Sequence, residues 1–215
     1  MAEPTLDPRK TAVLYFDTLK VYLYDDQGKV RPEAKAQVAA AQRMLQTARS
    51  LDMPVVYAAA DHRTDGADWS TAITDNNESR FVEIVGKRRL KPATVRTSGG
   101  EEVIDELAPQ DGDYFIKKHR WSAFQGTHLD LSMRTAGVDT LCIAGGGTDV
   151  GVASTAYAAR DRDFNVVILR DACRAARKEI DEYFMDHVFP RLGRVRSVDE
   201  AITLLQAGAN GQKTL

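Results

Sequence analysis

Two charged residues have the types and positions that acid–base chemistry requires. Asp17 closes an otherwise apolar run, residues 11–17 (TAVLYFD), and a carboxylate there costs desolvation energy unless a partner compensates it. Lys118, or its neighbour Lys117, ends the apolar run 113–118 and could supply the counter-charge. The same residues would also suit a purely structural ion pair. The pattern therefore predicts either a catalytic carboxylate or a buried ion pair.

The role of Asp17 depends on its surroundings. A nearby Lys118 would keep the carboxylate ionised, which suits a base that activates water. Burial against apolar rings would favour the protonated form, which suits a general acid; the candidate rings are those of Tyr15, Phe16 and Trp121. The sequence leaves both roles open.

A glycine-rich stretch, residues 145–151 (GGGTDVG), follows a predicted strand and opens a predicted helix. Glycine permits unusual backbone angles, and the first-turn amides of a helix have no intrahelical partner. This arrangement predicts a cradle for an oxyanion or a carboxylate. A tight turn that binds no ligand would have the same sequence pattern. The candidate binding residues are Gly146, Gly147, Thr148 and Val150. Because Val150 replaces the last glycine of a dinucleotide loop, the stretch predicts no nucleotide cofactor.

The elements that must position these residues alternate between strand and helix. Apolar runs and helical spacing predict strands at 11–17, 54–60, 113–118, 139–147 and 165–171, helices at 33–51, 101–108, 128–137, 149–163 and 179–189, and a strand and helix within 193–205 that opens with a capping box from Ser197 to Glu200. Such alternation is typical of an α/β fold, here a doubly wound, about six-stranded, mainly parallel sheet with helices on both faces. Ligand sites in these sheets lie beyond the carboxyl ends of the strands.

Two stretches depart from this rhythm within a single predicted domain, residues 1–215. Residues 61–100 form a long polar excursion, which predicts a lid or a subunit-contact arm. Its basic run, residues 87–91, is interpreted as a solvated face. The polar tail, residues 206–215, is predicted to fray.

Composition limits the class of protein. The 215 residues carry 29 Lys and Arg against 31 Asp and Glu, a net charge of −2, which argues against a dedicated nucleic-acid partner. No apolar run approaches the roughly 18–20 residues of a membrane span, and no signal peptide is visible. The two cysteines, Cys142 and Cys173, are interpreted as reduced packing residues. These features predict a cytoplasmic protein and do not by themselves name a function.

Residues 116–175 and the strand ending in Asp17 resemble the isochorismatase-like hydrolases, also called the cysteine hydrolase superfamily. The segments AVLYFDTLKVYL (12–23), KHRWSAFQGTHLD (118–130) and HVFPRLGRVRSVDEAI (187–202) carry the likeness, which covers most of residues 11–205. The resemblance implies that Asp17 and Lys118 are the catalytic Asp and Lys. It also implies a cis peptide at Gly146–Gly147 and a homodimer or homotetramer.

The chain departs from that pattern at the nucleophile. The amidase members carry a Cys in T-x-x-C-V, whereas residues 148–152 read TDVGV and place Gly151 there. The isochorismatases also have Gly at this position and hydrolyse a vinyl ether without a covalent intermediate. They carry D-M-Q after the first strand, where residues 17–19 read DTL, so Leu19 puts isochorismate itself in doubt.

Zinc-binding nicotinamidases, to which the chain is also similar, hold their metal with an Asp-x-His and a later His. His62 lies near the matching place, but Ala60 replaces the Asp and no second His follows in the loop. The sequence therefore predicts no bound metal, and His62, Arg63 and Asp65 are expected to shape the pocket mouth or to bind a polar group of the substrate. Candidate pocket walls, which could equally be core, are Trp69, Trp121 and Phe124.

These features favour a cofactor-free hydrolase of a small, carboxylate-bearing molecule, with Asp17 as the acid or base and vinyl-ether hydrolysis as the preferred reaction. One alternative is an amide or ureide hydrolase in which Asp17 activates water. The other is a binding protein that has lost its chemistry together with the cysteine.

Overall fold

Strand β1 (Thr11–Phe16) is buried along its whole length, which places it in the interior of a sheet. Its side chains alternate between two apolar layers, since Val13 and Tyr15 join one core cluster whereas Leu14 and Phe16 join the other. A strand with two apolar faces requires a covering layer on each side.

The computed structural model describes residues 5–72, 81–84 and 86–212. In that part of the chain, six parallel strands form one sheet and an antiparallel hairpin lies outside it. The remaining strands are β2 (Val55–Ala60), β3 (Phe81–Ile84), β4 (Lys87–Leu90), β5 (Tyr114–Lys118), β6 (Thr140–Gly146), β7 (Asn165–Arg174) and β8 (Arg194–Arg196). The sheet order is β5-β2-β1-β6-β7-β8.

Helices cover both faces of this sheet, which confirms the predicted fold class. Within the described residues the α-helices are α1 (Lys20–Leu23), α2 (Lys35–Ser50), α3 (Leu129–Thr135), α4 (Ala153–Arg160), α5 (Lys178–Tyr183) and α6 (Val198–Gln212). The apolar residues of α2 and α6 join the core cluster of Val13 and Tyr15, and those of α3 and α4 join the cluster of Leu14 and Phe16. No helix in the described ranges combines the length and the apolar character that crossing a bilayer requires.

Three predicted segments differ from the structure. The helix expected at 101–108 is only a 3₁₀ turn, Asp105–Leu107, because the following Pro109 disfavours helical geometry before it. The excursion 61–100 contains the antiparallel strands β3 and β4, and its residues 73–80 and 85 lie outside the described part. The tail expected to fray from 206 is helical as far as Gln212, because Gly208 packs against the N-terminal segment, where a Cβ would lie 2.0 Å from the Leu6 carbonyl oxygen.

The strand order places the ligand crevice of the sheet. The chain builds outward from β1 through β2 to β5, and then returns to the other side of β1 as β6. Crevices in open α/β sheets form beyond the carboxyl ends of the strands where the order reverses. Asp17, immediately after β1, and Gly147, immediately after β6, therefore lie on either side of that point.

Candidate active site

A buried ion pair lies at the carboxyl edge of the sheet. Lys118 Nζ donates a hydrogen bond of 2.8 Å to Asp17 Oδ2, and the two side chains are only 5% and 15% exposed. Lys118, and not Lys117, is the partner; Lys117 Nζ lies 3.8 Å from Asp61 Oδ2 instead. The Lys118 ammonium also lies 4.1 Å from the centre of the Phe16 ring, an attractive cation–π contact.

The backbone holds the Asp17 carboxylate in one orientation. Asp17 has a φ of 48°, the left-handed region that Asp and Asn tolerate better than most residues. Its amide donates to the Ala58 carbonyl oxygen at 2.9 Å, and its Oδ1 accepts a hydrogen bond of 3.0 Å from the Ala60 amide. The carboxylate is therefore fixed by an amide on one oxygen and an ammonium on the other.

The glycine-rich stretch turns sharply between β6 and a π-helical turn, Thr148–Val152, that leads into α4. Gly147 makes the turn with φ 66° and ψ 57°. Its amide donates to the Arg174 carbonyl oxygen, and the Val150 amide donates to the Gly147 carbonyl oxygen, both at 3.0 Å. The amides of Gly147 and Val150 are thus engaged by the backbone, so the predicted cradle would have to use other first-turn amides, such as those of Thr148 and Asp149.

The peptide expected to be cis at Gly146–Gly147 is trans, since the described residues contain no cis peptide bond. The positive φ of Gly147 accomplishes the turn instead. Gly146 lies against Asp17, because a Cβ at Gly146 would be 4.0 Å from the Asp17 carbonyl oxygen. The turn therefore borders the Asp17–Lys118 pair.

The space beside Gly151 is filled by the Phe16 ring. A Cβ added at Gly151 would lie 2.0 Å from Phe16 Cε1 and 2.4 Å from Cζ, far inside the ordinary carbon–carbon contact distance of about 3.5–4.0 Å. No side chain fits at residue 151 unless Phe16 moves. The sequence predicted that Gly151 takes the nucleophile position, which stays a prediction, and did not predict that the Phe16 ring fills the space beside it.

The predicted pocket walls are placed differently from one another. Trp121 is 69% exposed, whereas Phe124 is buried with its ring centre 5.7 Å from that of Phe164. Trp69 is also buried, and its indole N–H donates to the Arg63 carbonyl oxygen at 2.9 Å. Phe124 and Trp69 therefore make core and loop contacts, and their role as pocket walls stays a prediction.

Both cysteines are sealed within the sheet. Cys142 and Cys173 are buried and unpaired. Burial raises the pKa of the Cys142 thiol to about 12 and that of Cys173 further still. A nucleophilic cysteine requires the thiolate, so neither residue can substitute for the side chain that position 151 lacks.

We expect both thiols to be inert in the folded protein at pH 8, because the neutral thiol predominates at every pH well below 12. Labelling with a thiol reagent should be slow in buffer and complete in denaturant. The Cys142→Ala and Cys173→Ala variants should keep the turnover of the parent chain. Rapid labelling of the native protein, with activity lost in step, would contradict this expectation.

A second polar group lies near the pair. His62 Nδ1 is 3.8 Å from Asp68 Oδ1, and His119 Nδ1 is 3.2 Å from Asp68 Oδ2. Burial lowers the pKa of His62, which favours its neutral form. Of these three residues, the sequence analysis singled out only His62. It missed Asp68 and His119 because His119 is distant in the chain and comes close only through the pairing of β5 with β2.

The other predicted residues of the pocket mouth form ion pairs. Arg63 pairs with Asp65, and its hydrogen bonds lower the pKa of the Asp65 carboxyl. Asp61, at the end of β2, pairs with Arg96 at 2.6 Å. These charges largely compensate one another within the loop.

Comparison with known proteins identifies the family of the chain. The isochorismatase domain family matches residues 11–200. The uncharacterized isochorismatase family protein YecD of Escherichia coli O157:H7 is 44% identical over 99 residues, 46% of this chain and 53% of that relative, so the chain spans about half of the length of that protein. The ureidoacrylate amidohydrolase RutB of Agrobacterium fabrum is 28% identical over 78% of this chain and 77% of its own.

The solved structure of an isochorismatase family protein from Burkholderia thailandensis is 26% identical, with a TM-score of 0.77 over 94% of this chain and 98% of its own. The family match extends from β1, which leads to Asp17, into helix α6, and so includes Lys118 and the glycine-rich turn. The chain therefore belongs to the isochorismatase family of hydrolases.

Proposed function

We propose that the chain hydrolyses a small, carboxylate-bearing molecule with Asp17 as the acid or base and without a covalent enzyme intermediate. One observation supports this most directly: the Asp17–Lys118 pair adjoins a nucleophile position at which Phe16 leaves no room for a side chain. In this proposal, the chemistry at this site proceeds by proton transfer and direct attack of water.

Vinyl-ether hydrolysis suits this arrangement best. A substrate carboxylate that bound Lys118 would draw the ammonium from Asp17, which favours the protonated acid. Asp17 would then protonate the enol carbon, and water would add to the resulting oxocarbenium carbon. That water loses one proton to the Asp17 carboxylate, and collapse of the adduct releases an alcohol and a ketone.

Amide or ureide hydrolysis is the second candidate, favoured by the likeness to an ureidoacrylate amidohydrolase. In that case the ionised Asp17 takes a proton from water, the water attacks the carbonyl, and the leaving nitrogen is protonated in return. Both reactions require the same carboxylate but release different products.

A mixed panel of isochorismate, other enol ethers, amides and ureides separates the candidates. The purified protein is incubated with the panel and products are followed by mass spectrometry, with Asp17→Asn as the matched control. We expect a ketone or pyruvate that the variant does not form. Ammonia that the parent chain releases and the variant does not would favour the amide reaction. No product from any compound of the panel would favour a binding protein.

We also infer a cytoplasmic homodimer or homotetramer. The two buried, unpaired cysteines suit a reducing compartment. Trp121 and Leu131, which are 69% and 70% exposed, offer apolar surface to a second copy.

A further inference from the structure

Three potential metal ligands converge from two separate parts of the chain. His62 and Asp68 lie on the loop after β2, and His119 directly follows β5. One ligand atom from each side chain lies within 4.8 Å of the other two. Both Nδ1 atoms are buried, and neither makes a hydrogen bond within the described part of the chain.

The spacing of these atoms suits a tetrahedral ion. Zinc bonds of about 2.0–2.1 Å to nitrogen and oxygen place neighbouring tetrahedral ligands about 3.3–3.4 Å apart. The two separations from the Asp68 oxygens, 3.8 Å to His62 Nδ1 and 3.2 Å to His119 Nδ1, lie on either side of that value. These separations run to different Asp68 oxygens, and the three ligand atoms lie within 4.8 Å of one another. An ion could therefore bind once the three side chains close slightly around it.

Asp68 is the carboxylate best placed to bind a metal ion, because the neighbouring carboxylates already form ion pairs. Asp17 pairs with Lys118 at 2.8 Å and Asp61 pairs with Arg96 at 2.6 Å. Asp68 instead faces the two imidazoles, and its carboxylate is oriented by the Arg63 amide, which donates at 3.1 and 3.2 Å. A backbone donor that fixes a ligand in this way is typical of metal sites.

We propose that His62, Asp68 and His119 bind one divalent transition-metal ion of the zinc class. Two neutral imidazoles and one carboxylate form a three-ligand set, which leaves a coordination position for water or for an oxygen or nitrogen atom of a small molecule. The ion would tie the loop after β2 to the end of β5, one residue from Lys118. The proposal is independent of the reaction that Asp17 performs and replaces the expectation of no metal drawn from the sequence.

Binding is measured on the full chain after dialysis against a chelator. Zn²⁺ is titrated by calorimetry, and Co²⁺ is titrated by visible absorption, which reports the geometry and type of ligands. We expect one ion per chain and a cobalt spectrum of a tetrahedral nitrogen and oxygen site, without the sulfur charge-transfer bands that Cys142 or Cys173 would give.

Loss of one ligand should weaken binding by at least about 100-fold. The variants are His119→Ala and Asp68→Ala, with His119→Gln as a milder replacement should either fail to fold, which circular dichroism reports. His128→Ala is the matched control, since that exposed histidine contacts Ser132 at 2.8 Å, away from the site. It should bind like the parent chain.

Two results would overturn the proposal. One is a parent chain that binds neither Zn²⁺ nor Co²⁺ at micromolar concentrations. The other is binding that the folded His119 and Asp68 variants retain, which would place the ion elsewhere. Either would leave the group as two histidines paired with a carboxylate.

Discussion

The Asp17→Asn variant is expected to lose about 10²- to 10⁴-fold in turnover of any substrate found in the panel, the range associated with a positioned general acid or base. Asn matches Asp in shape and tolerates the φ of 48° at this position. Its amide oxygen can still accept the hydrogen bond from the Ala60 amide. The substitution therefore removes the proton-transfer group while preserving the backbone around it.

Stability must be separated from chemistry in this variant. Without Asp17 the Lys118 ammonium, 5% exposed, loses its counter-charge, and breaking a buried pair costs about 3–5 kcal/mol. The double variant Asp17→Asn with Lys118→Met removes both charges, so we expect it to regain much of the free energy of unfolding and none of the activity.

Kinetics and urea unfolding of the parent, the Asp17→Asn variant and the double variant distinguish these effects. Turnover that follows the folded fraction, and returns in the double variant, would make Asp17 a structural residue. Turnover that stays low in fully folded protein would support its catalytic role.

Several of these features could be read from the sequence. The apolar runs identified β1, β2 and β6 because fully buried strands leave a continuous signal. The capping box was also local: Glu200 Oε2 accepts from the Ser197 amide at 2.7 Å. The sequence left Lys117 and Lys118 open, and only the resemblance pointed to Lys118. The structure explains that choice by strand alternation, because Lys118 shares the buried face of β5 with Ile116.

The features that the sequence missed depend on contacts between distant segments. The Phe16 ring meets Gly151 only because β1 and β6 are neighbours in the sheet. His119 reaches Asp68 because β5 pairs with β2 despite the hairpin that separates them in the chain. Alternation indicates the face on which each residue lies, but the strand order decides which residues meet.

Because Phe16 packs against Gly151, we expect the effect of Gly151→Ala on the free energy of unfolding to change sign with the residue at position 16. Gly151→Ala in the parent chain should lower the free energy of unfolding by about 1–3 kcal/mol, the usual cost of overpacking, because the new Cβ would lie 2.0 Å from Phe16 Cε1. In a Phe16→Val background the obstructing ring atoms are absent. The same substitution should then stabilise the protein by up to about 1 kcal/mol, the helix preference for Ala over Gly.

Urea unfolding of the four proteins gives the coupling energy between the two positions, which we expect to reach about 2 kcal/mol. Gly193→Ala serves as the control for a tight glycine elsewhere: its Cβ would meet the Val166 carbonyl oxygen at 2.2 Å, so it should destabilise both backgrounds equally. Additive effects at 16 and 151 would show that the Phe16 ring is not the source of the cost of a side chain at 151. A thiol introduced by Gly151→Cys would then fit without a change at 16, whereas strong coupling means that it requires a smaller residue at 16 as well.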